Sequence, residues 1–222
     1  MLDIRHADTP AAALRDAAGA LADALETALA DRPRASLVAC GGDTARRLLP
    51  QLAAQDLDWS RITGTLADER WVDVTSPASN EALVRSLLPS AMALVGLKTG
   101  HTRAAEAGTE VARRLATLPM PFDAVFLGMG DDGHVASLFP GGPELSATTP
   151  VVASVAPRDP PERISMSFPT LFASRRIVLC ILGKAKARVF ERALAGDTRL
   201  PVARVLTQGV VPVHAVVCAH AP

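Results

Sequence analysis

The stretch from Phe122 to Pro140 reads FDAVFLGMGDDGHVASLFP. Its first part, Phe122 to Leu127, has no polar face, which fits a strand buried on both sides in a parallel sheet. The chain then turns on Gly128 and Gly130 and presents Asp131, Asp132 and His134 within four residues, before a brief apolar segment ends at Phe139-Pro140. In an open α/β sheet the carboxyl ends of the strands border the ligand crevice, so acid and base groups at this turn meet a substrate there.

Outward from this turn, strand and helix signals alternate. Thr9 as N-cap and Pro10 at the first helical position start a helix running to about Asp31, with Leu14, Ala18, Leu21, Leu25 and Leu29 on one stripe. Ala35 to Cys40 reads as a buried strand, and Gly41-Gly42-Asp43-Thr44 leads directly into a helix carrying Leu48, Leu49 and Leu52. Strand, glycine pair and helix start together suit a phosphate, because first-turn N–H groups lack partners and the helix dipole favours an anion. An ordinary βα turn has the same pattern. Trp59 to Ala67 is a second strand, ending in the charged group Asp68-Glu69-Arg70 beside Trp71, and Asn80 opens the next helix. A helix is predicted from about Ala104 to Leu118, and strands at Val151 to Val155, at Ile164 to Phe168 with one exposed face, at Arg176 to Leu182 and at Val213 to Val217. Lys186 stands near the start of a helix after Gly183, within reach of an anion at a strand end, although a solvated lysine has the same signature. The alternation predicts a three-layer α/β fold, a mainly parallel sheet flanked by helices, forming one domain over residues 1–222. The strand ends near Cys40, Ala67, Leu127 and Leu182 are expected to converge on one pocket.

Lys and Arg total 23, as do Asp and Glu, so no overall field attracts nucleic acid or an anionic membrane. Neither a leader pattern nor an apolar run of spanning length is present, and a cytoplasmic protein with a small-molecule partner is expected. Cys40, Cys180 and Cys218 are too few and too widely spaced for a disulfide framework or a zinc site and read as buried core residues, with Cys40 the one conceivable nucleophile.

Gly128-Met129-Gly130-Asp131-Asp132-Gly133 matches the spacing G-x-G-x-x-G of dinucleotide sites. The context argues against it: Pro140-Gly141-Gly142-Pro143 leaves no room for a helix, no acid ends the next strand, and two aspartates would face the pyrophosphate. The histidines at 6, 101, 134, 214 and 220 form no HxxxH pair, and Asp132 with His134 supplies two metal ligands at most, so no metal is expected. His214 and His220 flank an apolar run and are expected to take no part in catalysis. What Asp132-Gly133-His134 does fit is a carboxylate beside an imidazole that takes a proton from water and returns it to a leaving oxygen.

These residues resemble a known family. GMGDDGHVASLFPG is similar to the G-x-G-x-D-G-H-x-A-S-L-F-P-G signature of the 6-phosphogluconolactonases. CGGDTARRLLPQL resembles their phosphate loop, LADERWVDVTSPASNEALVRSLL their W-G-D-E-R and D-S-N segments, and PPERISMSFPTLFASRRIVLCILGKAKARVFERAL their final block. The resemblance implies the fold of the glucosamine-6-phosphate deaminases and hydrolysis of 6-phosphogluconolactone without metal or organic cofactor. It implies His134 as general base and later acid, Asp132 as its orienting partner, and a 6-phosphate held by Gly41, Gly42, Thr44, Arg70, Lys186 and Arg163. Asp68 and Asn80 would shape the pocket. The partner is then a sugar-phosphate lactone, and the protein a monomer or weak homodimer.

The deaminases follow D-G-H with A-F-N-E-P, whose glutamate serves ring opening; here Ser137-Leu138-Phe139-Pro140 stands there, which favours lactone hydrolysis over an isomerase. The chain departs from the lactonase pattern at Cys40, Asp43 and Ala45, and at His220-Ala221-Pro222. Asp43 in the phosphate loop leaves open a non-catalytic sugar-phosphate binding protein.

Overall fold

The computed structural model describes residues 1–220; Ala221 and Pro222, part of the variant C-terminus, lie outside the described residues. Seven parallel strands form the main sheet: β1 (Leu2–His6), β2 (Ala35–Ala39), β3 (Ile62–Leu66), β5 (Ala93–Val95), β6 (Ala124–Leu127), β9 (Ile177–Leu182) and β10 (Val213–Cys218). Their order across the sheet is β1-β10-β9-β6-β2-β3-β5. A second, antiparallel sheet holds β4 (Asp68–Arg70), β8 (Glu162–Met166) and β7 (Val151–Val155), in that order. The helices are α1 (Pro10–Asp31), α2 (Asp43–Ala53), α3 (Asn80–Leu87), α4 (Gly108–Leu115), α5 (Phe168–Phe172), α6 (Lys184–Leu194) and α7 (Pro201–Thr207).

Local chemistry explains the longest helix. The Thr9 side chain accepts a hydrogen bond from the Ala12 N–H, and Pro10 occupies the first turn. Leu14, Leu21 and Leu25 are buried where α1 crosses β2, β6, β9 and β10. Each buried leucine contributes about 1.5–3 kcal/mol relative to exposure. Strands β2, β6 and β9 are buried along their whole length, which is why they read as apolar runs without alternation.

Several expectations need correction. Leu2–His6 is a strand although nothing local announces it; β1 pairs in parallel with β10, from the far end of the chain. Trp59–Arg61 is a turn of 3-10 helix, so β3 begins at Ile62. The helix expected over 104–118 is broken into a 3-10 turn at Ala104–Glu106 and α4, which starts at Gly108. The segment expected as a half-exposed strand is β8, in which Arg163 through Met166 are buried. Both of its neighbours, β4 and β7, lie in the small sheet, and Ser165 faces the Ser137 backbone.

At the amino ends of the central strands, away from the glycine turns, Asp123 forms a structural knot. Its carboxylate accepts from the Ser36 N–H at 2.8 Å and the Ser36 hydroxyl at 3.2 Å, and it is paired with the Arg32 guanidinium. The Arg175 Nε lies 3.4 Å away. Asp123→Ala leaves these donors without an acceptor and is expected to cost about 3–5 kcal/mol, read as a lower urea midpoint at unchanged slope.

Candidate active site

The chain leaves β2 toward β3 and β5 on one side of the sheet, and returns to β6, β9 and β10 on the other. The connections that follow the neighbours β2 and β6 therefore leave in opposite directions, and a crevice opens between them at the carboxyl ends. The Gly41-Gly42 turn after β2 and the Gly128–His134 turn after β6 form its two walls. The Gly128 N–H donates to the Cys40 sulfur at 3.1 Å and joins them. The cleft encloses about 750 Å3.

All ten residues singled out in the sequence line this one cleft: Gly41, Gly42 and Thr44 from the start of α2, Asp68 and Arg70 from β4, Asn80 from α3, Asp132 and His134 from the central turn, Arg163 from β8 and Lys186 from α6. Asp43 lines it as well, exposed, in the first turn of α2, where its side chain caps nothing. The G-x-G-x-x-G spacing opens no helix, as its context indicated; a chain reversal runs from Gly130 to His134, closed by the Gly130 N–H to His134 C=O bond of 2.9 Å.

His134 Nδ1 lies 2.5 Å from Asp132 Oδ1, which also accepts the His134 backbone N–H at 3.1 Å. A carboxylate only accepts, so Nδ1 carries the proton and Nε2 presents its lone pair. Partial burial works to raise the Asp132 carboxyl, but the hydrogen bond and charge of His134 and the backbone N–H outweigh it and hold the group below its usual range. The Phe139 ring, its centroid 4.9 Å from that of His134 and tilted by 52°, backs the imidazole.

Arg70 and Arg163 face each other across the β4–β8 pair. Arg70 donates to the Ala78 carbonyl at 2.7 Å, and neither guanidinium pairs with a carboxylate among the described residues. Burial and the neighbouring Arg70 charge push the Arg163 guanidinium down, against the pull of Asp68 and Glu69. Two like charges held side by side, with no carboxylate in ion-pair contact among the described residues, make a site for an anion. Lys186, which has no hydrogen-bonding partner for its side chain among the described residues, faces the same cleft.

Glu69 looked like part of this cluster from its composition but turns away. Its carboxylate accepts from the N–H groups of Arg70, Asn80 and Glu81 at 2.7–2.8 Å and from the Ser79 hydroxyl at 3.0 Å, fastening β4 to the start of α3. Burial still raises its pKa, partly offset by those donors. Cys40 is buried and its thiol is pushed up to about 12 by burial and by Asp68, which excludes it as a nucleophile near neutral pH. His214 lies in β10 between Asp3 and Asp16, away from the cleft. Among the described residues no three His, Cys, Asp or Glu side chains gather to hold a metal ion, and no helix is long and apolar enough to cross a membrane.

Sequence reasoning missed Ser137. It is buried, its hydroxyl is 2.5 Å from Asp68 Oδ2, and its N–H donates to Ser165 Oγ at 3.2 Å.

The family model for glucosamine-6-phosphate isomerases and 6-phosphogluconolactonases matches residues 8–213. The chain belongs to that family. A 6-phosphogluconolactonase of Pseudomonas aeruginosa is 37% identical over 212 residues, covering 90% of this chain and 89% of its own length. One from Caulobacter vibrioides is 38% identical over 210 residues, covering 86% and 87%. The crystal structure of a 6-phosphogluconolactonase from Shewanella baltica superimposes with a TM-score of 0.93 at 36% identity, over 99% of this chain and 98% of that one. A monomeric glucosamine-6-phosphate deaminase of the NagB superfamily, at 20% identity and a TM-score of 0.80, shares the fold. The mainly parallel sheet flanked by helices is thus the architecture of both branches of the family.

Proposed function

We propose that this chain hydrolyses 6-phospho-D-glucono-1,5-lactone to 6-phospho-D-gluconate, the lactonase step of the oxidative pentose phosphate pathway. The observation that carries the reading is a His134–Asp132 pair in the same cleft as Lys186 and two arginines that make no ion pair among the described residues. Lactonase relatives at 37–38% identity over most of the chain support it. So does Phe139, which stands beside the base where a deaminase has its glutamate and has no proton to transfer. The family match over residues 8–213 supports one domain spanning the chain. The balanced charge suits a cytoplasmic enzyme of a small sugar phosphate, acting as a monomer or weak homodimer.

The 6-phosphate rests against Arg70, Arg163 and Lys186 and the amide groups at Gly41, Gly42 and Thr44. His134 Nε2 takes a proton from water as its oxygen attacks the lactone carbonyl carbon. Asp132 stabilises the imidazolium formed. The tetrahedral intermediate then expels the ring oxygen, the carbonyl–ring oxygen bond breaks, and the imidazolium returns its proton to that oxygen. The new carboxylic acid ionises. No step needs an electron donor, an organic group or a metal.

Freshly generated lactone is expected to disappear faster with the purified protein than in buffer, equally with and without EDTA, followed as acid release. Lys186→Ala and Arg70→Ala should each raise KM about tenfold or more, the loss of one charge-assisted contact, with a smaller effect on kcat. A rate equal to the buffer blank, or unchanged KM in both variants, contradicts the reading.

A further inference from the structure

Three loops meet at the cleft, after β2, β3 and β6, and one set of buried side chains joins them. Ser137, three residues beyond His134, donates its hydroxyl to Asp68 Oδ2 at 2.5 Å. The Asn80 amide nitrogen donates to the Asp68 carbonyl at 2.9 Å and lies 3.3 Å from Asp68 Oδ1. Both acceptors demand the NH2 end, so the amide orientation is fixed and Asn80 Oδ1 must point the other way. There it sits on Gly41, so close that a Cβ at residue 41 would lie 1.9 Å from it. Asn80 Oδ1 is buried without a hydrogen-bonding partner among the described residues, which leaves it in contact with the glycine backbone of the phosphate loop.

The backbone is bent to make the first link. Ala136, between His134 and Ser137, has a φ of 50°, the one positive φ at a residue other than glycine among the described residues. Held strain of this kind needs surrounding structure to maintain it, and here it turns the chain between a half-exposed His134 and a buried Ser137. The Ser137 N–H bond to Ser165 Oγ ties the same residue to β8, next to Arg163.

We infer that Ser137, through Asp68 and Asn80, is a positioning residue that sets the distance between the general base and the phosphate-binding loop. This rests on the lactonase reading and adds to it a device for substrate length. A substrate anchored at its phosphate reaches His134 in register only if the two loops keep their spacing, and misplacement by about 1 Å costs on the order of a hundredfold in rate. A lactone without a phosphate is not anchored and does not depend on that spacing.

The test compares 6-phosphogluconolactone with unphosphorylated glucono-1,5-lactone on wild type and Ser137→Ala. In the variant the advantage of the phosphorylated lactone in kcat/KM is expected to shrink about tenfold or more, through kcat, while the rate on the unphosphorylated lactone stays within a factor of two. Should Ser137→Ala fail to fold, Ser137→Cys, nearly isosteric with a weaker donor, is expected to show a smaller loss of the same kind. Equal losses on both lactones, as from a smaller folded fraction, or no loss on either, overturn the inference and leave the lactonase reading standing. A wild type that hydrolyses neither lactone overturns both.

Discussion

His134→Ala is expected to lower kcat on 6-phosphogluconolactone by about 10²–10⁴, the usual worth of a positioned acid–base group, with KM nearly unchanged. Among the described residues the half-exposed imidazole has a single polar side-chain partner, Asp132, so its removal strands no buried donor and the fold should hold. Nearly unchanged KM follows from the proposed division of labour, since the residues proposed to hold the phosphate lie on or beside α2, β4, β8 and α6 rather than on the central turn. Asp132→Asn separates orientation from presence. An amide that donates to Nδ1 selects the tautomer with the proton on Nε2, which cannot accept one from water, and a loss of about 10² or more is expected with geometry preserved. Because His134 holds the Asp132 carboxyl below its usual range, the pair contributes stability above the ordinary aspartate pKa and loses it as pH falls through the lowered value. An unaltered rate in His134→Ala would remove the general base from the mechanism.

What was legible in the sequence was what is local. The central turn, the glycine pair before α2 and the charged end of β3 each carry their chemistry within a few residues, and the sheet's carboxyl edge gathers them because parallel strands point the same way. What depended on distant partners was hidden. Strand β1 has a weak pattern of its own and exists because β10 offers an edge about two hundred residues away. Val151–Val155 reads as a strand, but nothing in it tells that it leaves the main sheet for β8. Glu69 and Asp68 are adjacent and chemically alike, yet the pleat sends one to the start of α3 and the other to the cleft. Ser137 could not be told from any buried serine, because its partner lies 69 positions back in the chain.

Gly130→Ala is expected to reduce activity nearly as far as removal of the imidazole, while leaving stability close to wild type. A Cβ at residue 130 would lie 2.2 Å from both Cε1 and Nδ1 of His134 and 2.7 Å from Asp132 Oδ1, so the pair cannot keep its place. The atoms in the way are side-chain ends at a solvent-facing cleft, not backbone, and the ring can swing outward at little cost in packing. Gly130 also has no positive φ, so alanine adds no backbone strain. Gly133→Ala is the contrasting control. There φ is +83° and the added carbon meets Leu200 Cδ2 at 2.9 Å, so a loss of about 1–2 kcal/mol in stability should accompany any loss of rate. Thermal midpoints with kcat for both variants separate the two effects. A Gly130→Ala protein that keeps its rate would show that the imidazole works from a different position than the one held by Asp132.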